Sequence, residues 1–119
     1  MDVVIIPAYK PETILPFLVE QVRTYGRQVI VVDDGSGKEY QNIFEKVQNY
    51  CTLLIHRQNR GKGAAIKTAL AYIRKEIPDC DTIAVMDADG QHRIEDVRRV
   101  LEEAHHTTIE IPWCLEFVW

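Results

Sequence analysis

Four short apolar runs, rich in β-branched residues, punctuate the chain: Val3-Val4-Ile5-Ile6, Val29-Ile30-Val31-Val32, Thr52-Leu53-Leu54-Ile55 and Thr82-Ile83-Ala84-Val85. Continuous apolarity over so few residues is the pattern of a strand covered on both faces. Between the runs, apolar residues recur every three or four positions. Ile14, Leu15, Leu18, Val19 and Val22 form one helical stripe, Ile43, Val47 and Tyr50 a second, and Ile66, Leu70, Ile73 and Ile77 a third. A fourth helix is predicted from Arg93 onward, with Ile94, Val97, Leu101 and Ala104 on one side. Pro7 is expected to break the first strand, and Pro16 fits only in the first turn of its helix. Gly26 reads as a helix stop, and Ser36 with Glu39 has capping-box spacing.

Strand followed by helix, four times over, predicts right-handed βαβ units and a mostly parallel sheet with helices on both faces. This is an α/β fold. Ligands of such sheets bind beyond the carboxyl ends of the strands, near a topological switch point. The polar loops 7–12, 33–37, 56–63 and 87–92 each follow a strand, so all four are expected on one edge. That convergence points to a site.

Composition narrows the partners. The chain has 119 residues, enough for one domain with a real core, and 46% of them are hydrophobic. A formal charge of −4 with no Lys/Arg run argues against nucleic acid. Cys51, Cys80 and Cys114 lack metal-ligand spacing and read as reduced thiols of a cytoplasmic protein. Neither a signal peptide nor a bilayer-spanning run of roughly 20 residues is present in the pattern. The stretch 107–119 is unlike the rest. Ile109-Glu110-Ile111 has the form of a fifth strand, and both tryptophans, Trp113 and Trp119, follow it. Such a tail is expected to pack on the sheet or on a second copy, or to be an abnormal end to a longer protein.

Candidate chemistry concentrates in the loops. Asp87-Ala88-Asp89 follows the fourth strand and sets two carboxylates close together, which is costly unless a cation receives them. Gln91 adds an oxygen, and a hard-oxygen set suits Mg²⁺ or Mn²⁺ carrying a phosphorylated ligand; the plain alternative is a solvated turn capping the next helix. Asp34 has the chemistry to accept from a nucleobase or ribose, or else to serve the turn and helix cap, whereas Asp33 reads as structural turn chemistry. Arg60 and Lys62 open a helix, where cations and backbone amides attract phosphate, or else form a solvated basic loop. Tyr9 is placed to stack on a base or simply to pack. His92 is a candidate contact for a metal-bound phosphate or an idle loop histidine, and His105 and His106 favour a helix dipole.

Taken together, Ile5-Ile6-Pro7-Ala8-Tyr9, Val31-Val32-Asp33-Asp34-Gly35-Ser36, Asn59-Arg60-Gly61-Lys62-Gly63 and Asp87-Ala88-Asp89-Gly90-Gln91-His92 resemble the family 2 glycosyltransferases. The likeness is strongest to the dolichyl-phosphate mannose and glucose synthase branch. The resemblance spans 2–106 and implies a Rossmann-like GT-A domain that binds a UDP- or GDP-sugar. It would place Pro7, Tyr9 and Glu12 in the nucleoside pocket, with Val32 and Asp34 at its base. Glu12 departs from the family spacing, because both Lys10 and Pro11 stand between it and Tyr9. Lys62, Asp87, Ala88 and Asp89 would contact the donor, and Asp87, Asp89 and Gln91 would hold Mg²⁺ or Mn²⁺. The family performs an inverting displacement on an acceptor, here expected to be a membrane polyprenyl phosphate, using a carboxylate base from a later half. Nothing after residue 106 resembles that half. No catalytic base is assigned, and a weak or inactive donor part, truncated before the acceptor half, is the expectation. Two other readings compete: a nucleotide-binding or oligomerisation module using the tail, and a haloacid-dehalogenase-like phosphatase suggested by Asp87-x-Asp89-Gly90. The second family carries its loop after the first strand.

Overall fold

The computed structural model describes residues 2–24, 26–86 and 88. In order they form β1 (Asp2–Ala8), α1 (Leu15–Thr24), β2 (Gln28–Asp34), a 3-10 turn (Lys38–Tyr40) running into α2 (Gln41–Val47), β3 (Thr52–His56), α3 (Lys62–Glu76) and β4 (Thr82–Val85). The expected fourth helix, fifth strand and tail, with Asp87, Asp89, Gln91, His92, His105, His106 and Cys114, lie outside the described residues.

All strand pairs are parallel, in the order β3-β2-β1-β4. Right-handed crossovers dictate which face each helix takes. From β1 to β3 the chain steps in one direction, so α1 and α2 share a face. It then returns past β1 to reach β4, which puts α3 on the other face. The core divides accordingly. Val4, Ile6, Val29 and Val31 pack with Leu15, Leu18, Val19, Val22, Phe44 and Val47. Val3, Ile5, Ile30 and Val32 pack with Ala65, Ala69 and Ile73. Val3 to Ile6 are all fully buried, and each such side chain contributes about 1.5–3 kcal/mol. The reversal of direction makes the gap between β1 and β4 the topological switch point.

Three strands run further than their apolar cores. β1 passes through Pro7 to Ala8, paired with Val32 and Asp33; the expected break at Pro7 is therefore corrected. Ile5 accepts a bond from the Met86 amide at 2.9 Å, so odd positions of β1 face β4. Pro7 points its missing N–H the same way, beyond Val85, the last paired residue of β4. β2 likewise absorbs Asp33 and Asp34, and β3 absorbs His56, with Asp34 and His56 in register. Pro16 does lie in the first turn of α1, and Gly26 (φ 77°) follows it, its amide bonded to the Arg23 carbonyl at 2.9 Å.

Candidate functional site

Ala8, Asp34, His56 and Val85 end their strands on one edge, and the segments that follow start there together. After β1 comes Tyr9, half exposed, with the Lys10 ammonium 5.4 Å above its ring centre. Lys10 takes a left-handed φ of 48°, unusual for a residue with a side chain, and its amide donates to Ser36 Oγ at 2.9 Å. The Ser36 amide in turn donates to Asp33 Oδ1 at 3.0 Å. These bonds replace the expected capping box: the 3-10 turn is preceded by Gly37 and has no side-chain cap bond. Asp33 has the structural role read for it.

Asp34 anchors the opposite side. Its Oδ1 accepts from His56 Nδ1 at 2.8 Å and from the Arg60 amide at 2.9 Å. Its Oδ2 accepts from the Gly61 amide at 2.9 Å and from Asn59 Nδ2 at 3.1 Å. Two carboxylate oxygens offer about four lone-pair positions, and four donors occupy them. Burial by itself would raise the Asp34 pKa. The His56 bond, the amides of Arg60 and Gly61, and the His56 charge outweigh that and hold the carboxyl below its usual range. Gly35, beside it, fits because it has no side chain: an added Cβ would lie 2.3 Å from the Asn59 nitrogen.

His56 was expected in a loop, and its role was missed. It ends β3 as a buried residue, with Nε2 2.7 Å from Thr68 Oγ1 on α3. Strand parity carried the signal, because Leu54 and His56 are two apart and so share the face that α3 covers.

The other sequence candidates divide. Pro7 is half-buried at the end of β1, and Glu12 is exposed, its carbonyl accepting from the Leu15 amide at 3.2 Å. Val32 is fully buried in the α3-side core, so its side chain is packed away from solvent. Lys62 is the first residue of α3, directly after the two amides held by Asp34. Ala88 is buried with Met86 in the α1 and α2 core. The Met86 bond to Ile5 holds the chain leaving β4 against β1 at the switch point. A cavity of about 530 Å³, lined by residues such as Asp33, Phe44 and Ile55, opens instead on the α2 side of β3. Another, of about 470 Å³, lies at the opposite edge around Gln28 and Thr52. Neither is at the switch point.

Among the described residues no three His, Cys, Asp or Glu side chains are grouped to hold a metal. Cys51 and Cys80 are free thiols, and burial pushes the Cys51 pKa up to about 11. No helix among the described residues is long and apolar enough to cross a membrane.

The glycosyl transferase family 2 model matches residues 3–115, nearly the whole chain and past position 106. The chain belongs to that family. It is similar to a dolichyl-phosphate beta-glucosyltransferase of Trichomonas vaginalis, at 31% identity over 83% of this chain and 33% of that protein. The human dolichyl-phosphate beta-glucosyltransferase is 30% identical over 82% of this chain and 33% of its own length. An undecaprenyl-phosphate 4-deoxy-4-formamido-L-arabinose transferase of Pseudomonas fluorescens is 30% identical over 85% of this chain and 31% of the relative. The chain thus spans about a third of the length of these relatives, which place it with the dolichyl-phosphate glucose synthase-like branch. Staphylococcus aureus TarS shares the fold, with a TM-score of 0.57 and 23% identity over 87% of this chain and 20% of TarS. The architecture is Rossmann-like GT-A. Family membership, together with an acidic loop that follows β4 rather than β1, sets aside the phosphatase reading.

Proposed function

We propose that this chain is the donor-binding part of a cytoplasmic glycosyltransferase that moves a sugar, with inversion, from a UDP- or GDP-sugar to a membrane polyprenyl phosphate. The observation that carries the proposal is the meeting of the β1 loop with the chain leaving β4 at the switch point, fixed by the Met86 to Ile5 bond. Three of the relatives described above carry polyprenyl-phosphate acceptors in their names, which supports the acceptor class. In this reading Tyr9 offers its half-exposed ring to the base, with Pro7 and Glu12 beside it. Val32 lends the pocket only its place in β2. A base donor reaches Asp34 by replacing Asn59, whose side-chain amide makes the longest of the four bonds and belongs to an exposed residue. Lys62 stands at the head of α3 to meet the diphosphate.

Asp87, Asp89 and Gln91 would hold Mg²⁺ or Mn²⁺, and an all-oxygen donor set fits those ions. The ion would neutralise the departing diphosphate. Asp33 and Asp34 are both committed to internal hydrogen bonds, so neither is offered as the base that deprotonates the acceptor.

Titration calorimetry with UDP and GDP, each with and without Mn²⁺, tests the donor site. Binding that needs Mn²⁺ and is lost in Asp87→Asn is expected. No heat with either nucleotide would sink the proposal. Transfer of labelled glucose from UDP-glucose to dolichyl phosphate then separates an enzyme from a module that only binds.

A further inference from the structure

His56 has no role of its own in the sequence pattern, yet the Asp34 arrangement rests on it. Its side chain is 5% exposed and that of Asp34 4%. An ionised carboxylate can only accept, so Nδ1–H is the donor in the 2.8 Å contact. On the other side of the ring, Nε2 meets Thr68 Oγ1 at 2.7 Å, and that hydroxyl also bonds the Ala64 carbonyl one turn earlier in α3. The ring therefore spans from the end of β2 to the body of α3. A carboxylate turns easily about its last torsion. Donors on two sides stop it here: His56 from beneath, and the amides of Arg60 and Gly61 from the loop.

We propose that His56 is a positioning residue for the nucleotide site. By fixing the plane of Asp34 against Thr68, it holds the Arg60 and Gly61 amides in place, and so sets where Lys62 and the first turn of α3 stand at the edge. The consequence for ligand affinity rests on the donor-binding reading. The consequence for the loop does not.

The test uses shape-matched substitutions in the intact chain. The amide nitrogen of asparagine stands close to where Nδ1 was, whereas glutamine reaches toward Nε2 and leucine supplies neither donor. Two readouts are taken: hydrogen exchange of the Arg60 and Gly61 amides by NMR, and the Kd for UDP and GDP with Mn²⁺. His56→Leu and His56→Gln are expected to speed exchange at those two amides, and to weaken nucleotide binding, by about tenfold, the equivalent of one charge-assisted hydrogen bond. His56→Asn should stay within about threefold of the parent in both readouts, as expected when that bond is kept. A residue needed only for stability would lower Tm in all three variants without this ordering. Unchanged exchange in His56→Leu, or no rescue by His56→Asn, would overturn the assignment. If His56→Leu does not fold, Thr68→Val removes the outer anchor alone. Faster exchange at Arg60 and Gly61 supports the proposal there, and unchanged exchange refutes it. Failure of the parent chain to bind either nucleotide would count against the donor site, and the exchange comparison would then decide for or against His56 by itself.

Discussion

Replacing Gly35 with alanine strikes the narrowest point between two loops of the site. Gly35 has φ of 74°, and its ideal Cβ position lies 2.3 Å from both the Asn59 nitrogen and the Gln58 carbonyl carbon. The left-handed backbone alone costs an alanine about 1–2 kcal/mol. The contact adds more, because both neighbours are backbone atoms and cannot swing aside as a side chain would. Restoring ordinary van der Waals distance moves the 58–59 backbone by about 1 Å. A shift of that size carries the Arg60 and Gly61 amides, now 2.9 Å from Asp34, out of hydrogen-bond range. Each bond to a charged group is worth about 1.5–3 kcal/mol, and water recovers part of it in so exposed a loop. The sum is about 3–5 kcal/mol, a large share of the 5–15 kcal/mol typical of a domain.

Gly26 supplies the control. Its φ is 77°, close to that of Gly35, but nothing lies within 4 Å of the Cβ position. Gly26→Ala should therefore cost only the backbone penalty of about 1–2 kcal/mol. Urea unfolding of both variants, compared at equal m, gives the difference directly. Gly35→Ala should be the less stable by at least about 2 kcal/mol, and only it should move the Arg60 and Gly61 amide signals. Equal midpoints for the two variants would refute the close approach as the reason for glycine at position 35.

Acid should release the same loop. The Asp34 pKa is lowered in the folded chain, so its contribution is fully present above the ordinary carboxyl value of about 3.9 and is lost as pH falls through the lower folded value. The Arg60 and Gly61 amide shifts should titrate with a midpoint below that of an exposed carboxylate; a midpoint above it would contradict the assignment. Asn59→Ala should tighten UDP or GDP binding by roughly twofold to fivefold, because the Asn59 bonds to the Asp34 carboxylate and carbonyl no longer have to be broken. Weaker binding would mean that Asn59 itself touches the ligand. Cys51, with a pKa near 11 in place of 9.0, should react with iodoacetamide at pH 8 about a hundredfold more slowly in the native chain than in urea. Equal rates would show that the thiol is not shielded.

The alternation of strands and helices was legible because each apolar run marks buried backbone, and the stripes of α1 and α3 repeat every three or four residues. Strand ends were not. Apolar character stops where the core stops, but backbone pairing continues through Pro7, Asp34 and His56 as long as a neighbouring strand stays in register. The Ser36 and Glu39 spacing was genuine in sequence and failed in three dimensions. Lys10, 26 residues away, takes the serine hydroxyl first. Gly35 was readable as a turn residue, whereas the backbone pressing on it comes from the loop after a different strand. Asp34 was placed at the correct edge. The four donors that fill its oxygens come from residues 56–61, and no local pattern announces them.

These contacts explain why two aspartates stand in succession where turn chemistry alone would need one. Consecutive residues of a strand point to opposite faces. Asp33 faces the α2 side and holds Ser36, which holds Lys10 and hence the loop carrying Tyr9. Asp34 faces the α3 side and holds the segment leading to Lys62. β2 lies between β1 and β3, so its last two residues can tie down both neighbouring loops from one strand end. Neither tie requires a ligand. The carboxylates build the two walls in advance, the aromatic wall over β1 and the basic wall at α3, and a nucleotide would then lose little entropy in ordering them.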